Sequence, residues 1–188
     1  MSETIKEPNA AGESDSDVLL VATHRGSALV RVQGRGSFKV GPPLKQFGLN
    51  AIGNGCRQFI LDMDGCVGMD STFMGVLAGL AMRLKREPDG RMVMMNLTSK
   101  TMALLETLGL DRLIEAHLEG DVSEDLKKHL ADVVDLSVLD ASTSDTKLTL
   151  ETMLGAHQDL VKVSPENLPK FKNVMAYLSA DLKQLEGV

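Results

Sequence analysis

A chain of 188 residues is long enough for one domain with a sizeable core and something to spare, and its 43% apolar but only 3% aromatic content, with eleven Met against five Phe, one Tyr and no Trp, predicts an aliphatic, sulfur-rich interior. Two cysteines exclude a disulfide framework, with no CxxC pair for zinc or redox work, and a net charge of −6 without a dense basic run argues against nucleic acid. No apolar run approaches the ~18 residues of a membrane span and the N-terminus is acidic where a signal peptide is basic, so a cytoplasmic protein with no membrane or nucleic-acid partner is expected.

Residues 1–17 carry Glu3, Glu7, Glu13, Asp15 and Asp17 without apolar periodicity and read as a solvated acidic arm. The apolar run at 18–23, a turn at Arg25-Gly26-Ser27 and the alternating stretch 28–34 predict a β-hairpin. After a Gly- and Pro-rich break, Leu44, Phe47, Leu49 and Ile52 line a short helix between Pro43 and Gly53, and residues 59–64 have the apolar density of a buried central strand. Asp70 and Ser71 are suited to cap a helix from Thr72 to Lys85, stopped by Pro88. A second buried strand follows at 92–97, then a helix capped by Ser99 and ending at Gly109.

This alternation predicts an α/β domain: a sheet with parallel strands and helices packed on it, over residues 18–120. Residues 121–146 read as a short helix near 123–134 and an acidic, Ser/Thr-rich tether. Residues 147–188 contain two amphipathic segments split by Ser164-Pro165 and Pro169, and so a C-terminal helical hairpin. A pair this short cannot supply its own core, so it is expected to pack on the domain, on a second copy to give a homo-oligomer, or on a partner.

Chemistry concentrates at the third strand–second helix junction, Gly68-Met69-Asp70-Ser71-Thr72-Phe73-Met74-Gly75. A hydroxyl at a helix start lies where unpaired N–H groups and the positive dipole end favour an anion. Phosphate on Ser71 would add up to about −2 charge beside Asp70, enough to abolish or create a protein contact.

The stretch 59–85, with Asp70, Ser71 and Gly75 at the helix start, and the later Leu108-Gly109-Leu110 before Leu113-Ile114, resembles the STAS domain family of anti-anti-sigma factors over residues 18–116. The resemblance implies a STAS-like mixed sheet and a non-catalytic bacterial signalling module that binds a serine kinase or anti-sigma factor partner. It implies phosphorylation at Ser71, with Asp70, Ser71, Thr72, Phe73, Met74, Arg35 and Ser37 as the partner-binding set. Two departures are visible: Thr72 and Phe73 replace a Ser and a Gly of the family's Asp-Ser-Ser-Gly pattern, and Gly34-Arg35-Gly36-Ser37 replaces a loop that often carries Asp. A STAS scaffold without a phosphorylation switch is a further reading.

Asp62-Met63-Asp64-Gly65 also resembles the opening motif of haloacid dehalogenase-like phosphatases, a magnesium-dependent alternative in which one carboxylate attacks phosphorus and the other moves protons. Thr98, Lys100 and Gly120-Asp121 with Asp125 would complete it, although two strands precede the motif. Gly34-Arg35-Gly36 lacks the third glycine of a nucleotide loop and reads as a turn. His24, His117 and His129 have no metal spacing, and His157, on a helix's apolar face, reads as a core or interface residue. No catalytic residue, metal ligand or cofactor is assigned.

Overall fold

The computed structural model describes residues 17–133, 135–141 and 145–187. Strands β1 (Val18–His24) and β2 (Ser27–Gly36) form the expected hairpin, paired antiparallel. Its two-residue turn has Arg25 at φ 46° and Gly26 at φ 78°, the left-handed pair whose twist matches the strands it joins. Next come α1 (Gly41–Gly53), β3 (Gln58–Met69), α2 (Ser71–Leu84), β4 (Arg91–Leu97), α3 (Ser99–Thr107) and β5 (Glu115–Leu118). Pairing is parallel from β2 to β5 and, with β6 (Ser137–Val138) at the far edge, gives a mixed α/β sheet in the order β5-β4-β3-β2-β1-β6.

Strand β3 sorts its side chains by parity. Phe59, Leu61 and Met63 enter the main core with Val30, Val32 and Met94, beneath Leu44 of α1 and Leu77 of α2. Ile60 faces the other way and joins Leu29, Val93 and Met95 under α4 (Glu124–Ala131), which contributes Leu126. The sequence ends this strand at 64. Pairing with β2 instead continues to Met69 through two register irregularities, and at Gly65 the backbones approach so closely that an added Cβ would lie 3.1 Å from the Val32 carbonyl oxygen.

Other boundaries shift for local reasons. Thr98, not Ser99, caps α3, its hydroxyl accepting from the Thr101 amide while Thr101 returns the bond in a capping box. Within the stretch read as a tether, Ser137–Val138 forms β6, pairing antiparallel with Leu20 and Val21 of β1 and closing that sheet edge. Asp17, read as part of the acidic arm, is fixed: its carboxylate accepts from the Arg35 amide at 3.0 Å and the Ser37 hydroxyl at 2.7 Å. The rest of the arm and residues 142–144 of the tether lie outside the described residues.

The hairpin is α5 (Thr146–Val163) and α6 (Leu168–Glu186). It packs on the α/β domain itself. Helix α5 crosses the outside of α1 and α2, burying Ala156 and Leu160 in the main core, and α6 lies mainly against α5. Buried Asn167 rivets the turn between them, its amide donating to the carbonyls of Leu108 and Leu160. At the far end Lys147 and Glu186 close the pair at 3.1 Å, a contact that raises the lysine's pKa above its ordinary value.

Candidate functional site

The site is built where β3 hands over to α2. Asp70 caps the helix, one carboxylate oxygen accepting from the Phe73 amide at 2.8 Å. Its other oxygen accepts from the Phe38 amide at 2.7 Å, and its own amide donates to the Gly36 carbonyl, so the loop after β2 is bonded to the start of α2. Asp17 holds the same loop from the other side through Arg35 and Ser37. One carboxylate thus serves a helix end and a loop at once, and the loop needs no Gly-x-x-Asp turn of its own.

Ser71 is the first residue of α2 and is half-buried. Its Oγ lies 2.9 Å from Nε2 of His157, on α5. The other ring nitrogen, Nδ1, is 2.7 Å from the Met153 carbonyl, which can only accept. Nδ1 therefore carries the proton. In the neutral ring Nε2 is then the acceptor and the Ser71 hydroxyl donates to it. The imidazole is buried and packs against Phe171 of α6 with ring centroids 4.9 Å apart.

The remaining residues of the proposed set fall into two groups. Arg35 is exposed and Asp70 half-buried, close to Ser71 in the chain or through the loop contacts. Thr72, Phe73, Met74 and Ser37 are buried. Phe73 lies over Gly36, where an added Cβ would sit 2.5 Å from the ring, so its bulk goes into the core and adds nothing to the outer surface. Thr72 is covered because α2 has helices or sheet on both sides: its methyl and that of Thr152 on α5 both lie against Gly41. Exposed apolar surface comes instead from Phe38 and Val67, which sequence reasoning passed over.

His157 is the other residue missed as part of the site, although its apolar face was read. The signal lay in α2. No charged residue occurs between Asp70 and Arg83, and a helix without a polar face must be covered all round. The covering contact is close: a Cβ on Gly75 would lie 2.3 Å from the Ala156 carbonyl oxygen, and one on Gly79 2.5 Å from an Asp159 carboxylate oxygen.

The phosphatase arrangement does not assemble. Asp62 sits mid-strand with Leu29's face of the sheet, buried, one oxygen accepting from Arg31 at 2.9 Å and the other from Asn96 at 2.8 Å and the Asp64 amide at 3.2 Å. A carboxylate tied this way is a structural anchor, not a free nucleophile. Among the described residues no group of three or more His, Cys, Asp and Glu is placed to hold a metal ion, and no helix is long and apolar enough to cross a membrane.

A mixed sheet with this strand order and a serine beside the Asp70 cap at the β3–α2 junction defines the class. The family model described as "Mlab, STAS domain" matches residues 19–115, and the chain belongs to the STAS domain family. An anti-sigma factor antagonist from Mycobacterium paratuberculosis is similar in structure, with 20% identity and a TM-score of 0.50 over 65% of this chain and 98% of that one. The unphosphorylated anti-sigma factor antagonist SpoIIAA aligns with 17% identity and a TM-score of 0.46, covering 62% of this chain and 99% of its own. A sulfate transporter family protein from Wolinella succinogenes gives 19% identity and a TM-score of 0.48 over 60% of this chain and 93% of its own. No curated protein sequence matches the chain. The family match stops at residue 115, so α4, α5 and α6 lie beyond it.

Proposed function

We propose that this chain is a non-catalytic, cytoplasmic signalling module of the anti-sigma factor antagonist kind, which binds a serine kinase or anti-sigma partner through the surface around Ser71 and is switched by phosphorylation there. The observation that carries the reading is the placement of the Ser71 hydroxyl at the first position of α2, beside the Asp70 carboxylate and the exposed Phe38. A phosphate at that point would meet the helix's free N–H groups but would crowd Asp70 and displace the hydroxyl proton that His157 accepts. Helix α5 occupies part of the same surface, so partner and tail compete for it.

The test has two arms. Mass spectrometry of the protein from its native cells is expected to find phosphate on Ser71. Calorimetry against the cognate partner is expected to show Ser71→Ala binding like wild type and Ser71→Asp binding at least about tenfold more weakly, since only the second adds charge beside Asp70. Equal affinity of all three forms together with unmodified Ser71 would leave the scaffold reading, which the Ser71–His157 bond favours because it already satisfies the hydroxyl.

A further inference from the structure

On the seam between the α/β domain and the tail, along the second half of α2, lies a cavity of about 240 Å³ bounded by α1, α2 and α5. Its charge is opposite to that of the molecule. In a chain of net charge −6, the cavity gathers Lys45, Arg83, Arg86 and Lys162 against one carboxylate, Asp159. Asp159 is neutralised by Lys162 at 2.7 Å. Lys45, Arg83 and Arg86 have no ion-pair partner among the described residues. The ammonium of Lys45 reaches across to α5, where it would lie 3.7 Å from a Cβ on Gly155.

Thr152 gives a second and independent indication. It lines the cavity, is 1% exposed, and its hydroxyl has no hydrogen-bond partner among the described residues. A buried hydroxyl without a partner carries an uncompensated desolvation cost, which a ligand oxygen would offset. Two guanidinium groups, an ammonium and a hydroxyl form a donor set suited to a tetrahedral dianion, and Val76 and Leu80 supply apolar wall beside it.

We propose that this cavity is a binding site for a small phosphate monoester with a compact apolar body. Arg83 from α2 and Arg86 from the turn after it hold the phosphate, Thr152 donates to it from α5, and Lys45 completes the charge from α1. Because the donors come from both sides of the seam, the bound ester ties α5 to α2 and resists the tail's release. The site itself does not depend on modification of Ser71, whereas its effect on the tail bears on that function.

Phenyl phosphate and inorganic phosphate would be titrated into the full chain at constant ionic strength, with binding followed by calorimetry. Saturable one-site binding is expected, with phenyl phosphate at least about threefold tighter, since its ring meets the apolar wall. Arg83→Ala and the near-isosteric Thr152→Val should each weaken it about tenfold or more, while Arg112→Ala, away from the cavity, should bind as wild type. Thermal unfolding of each variant without ligand separates lost binding from lost fold. The same ester should slow proteolytic cleavage between α4 and α5 in wild type and not in Arg83→Ala. Absence of saturation by about 10 mM, or equal affinity in wild type, Arg83→Ala and Thr152→Val, would overturn the proposal.

Discussion

Asp70 is the residue on which the site's geometry turns, because it bonds the Phe73 amide inside α2 and the Phe38 amide in the loop after β2. Asp70→Ala leaves both amides without a partner. An N-cap alone is worth about 1 kcal/mol, and a second charge-assisted bond brings the expected loss to roughly 2–3 kcal/mol, measurable by urea unfolding. Loss no greater than that of an exposed surface alanine would mean that the loop does not depend on Asp70. The cysteines give a chemical check. Burial pushes the thiols of both Cys56 and Cys66 above their ordinary value, against the weaker lowering influence of Arg57 on Cys56 and of the Gly68 and Gly36 backbone bonds on Cys66. The native chain therefore keeps these protons to higher pH than the unfolded one, so stability is full below the ordinary thiol range and falls as pH rises through it. Native Cys66 should react with iodoacetamide at least about tenfold more slowly than in urea at the same pH. At this scale the sequence displayed the cap and the serine, since both are local. The bond from Ser71 to His157 spans 86 residues, and the apolar stripe of α5 marks His157 as buried without saying what it touches.

Between elements, the closest joint is the one where α5 lies on the glycines of α2. Two effects of Gly75→Ala oppose each other. Helix propensity favours alanine by about 1 kcal/mol, but a Cβ 2.3 Å from the Ala156 carbonyl cannot be accommodated without moving backbone, and overpacking costs about 1–3 kcal/mol. The clash wins, so Gly75→Ala should lower stability and leave α5 more open to limited proteolysis. Gly53→Ala, at the end of α1 with nothing within 4 Å of the added atom, should be neutral or stabilising by up to about 1 kcal/mol. If both behave alike, the packing of α5 on Gly75 is not what sets the cost. Helices and strands with full apolar periodicity were legible in the sequence within a few residues. What was not legible is where β3 ends and where β6 begins: the first is extended by pairing to β2, the second exists only because β1 offers an edge, and a two-residue strand carries no period.

For the whole molecule, the fold reading and the resemblance agree with the observed sheet, whose strands within residues 19–115 supply the family's architecture. The tail's destination could not be read, because an amphipathic pair fits a neighbouring domain, a second copy or a partner equally well until the cover of α2 is known. With α5 in place over Gly75, Val76 and Gly79, removal of residues 145–188 would bare an uncharged helix face. The shortened chain is expected to keep its sheet by circular dichroism, to gain affinity for its partner, and to self-associate in light scattering as that face seeks a substitute cover. A monomer of unchanged affinity would show that the tail plays no part in recognition.

Asn167 also dictates an order of events in time. Its amide joins Leu160, seven residues away, to Leu108, fifty-nine residues away, so the second bond closes a long loop and needs the end of α3 already in place. The tail is therefore expected to settle after α3 during refolding and to detach early on heating. In hydrogen exchange, amides of α5 and α6 should open by partial unfolding well before those of β3 and β4, and Asn167→Ala should widen that gap while leaving the slowest sheet amides within about 0.5 kcal/mol of wild type. A single shared opening free energy for sheet and tail would show instead that the molecule comes apart as one cooperative unit.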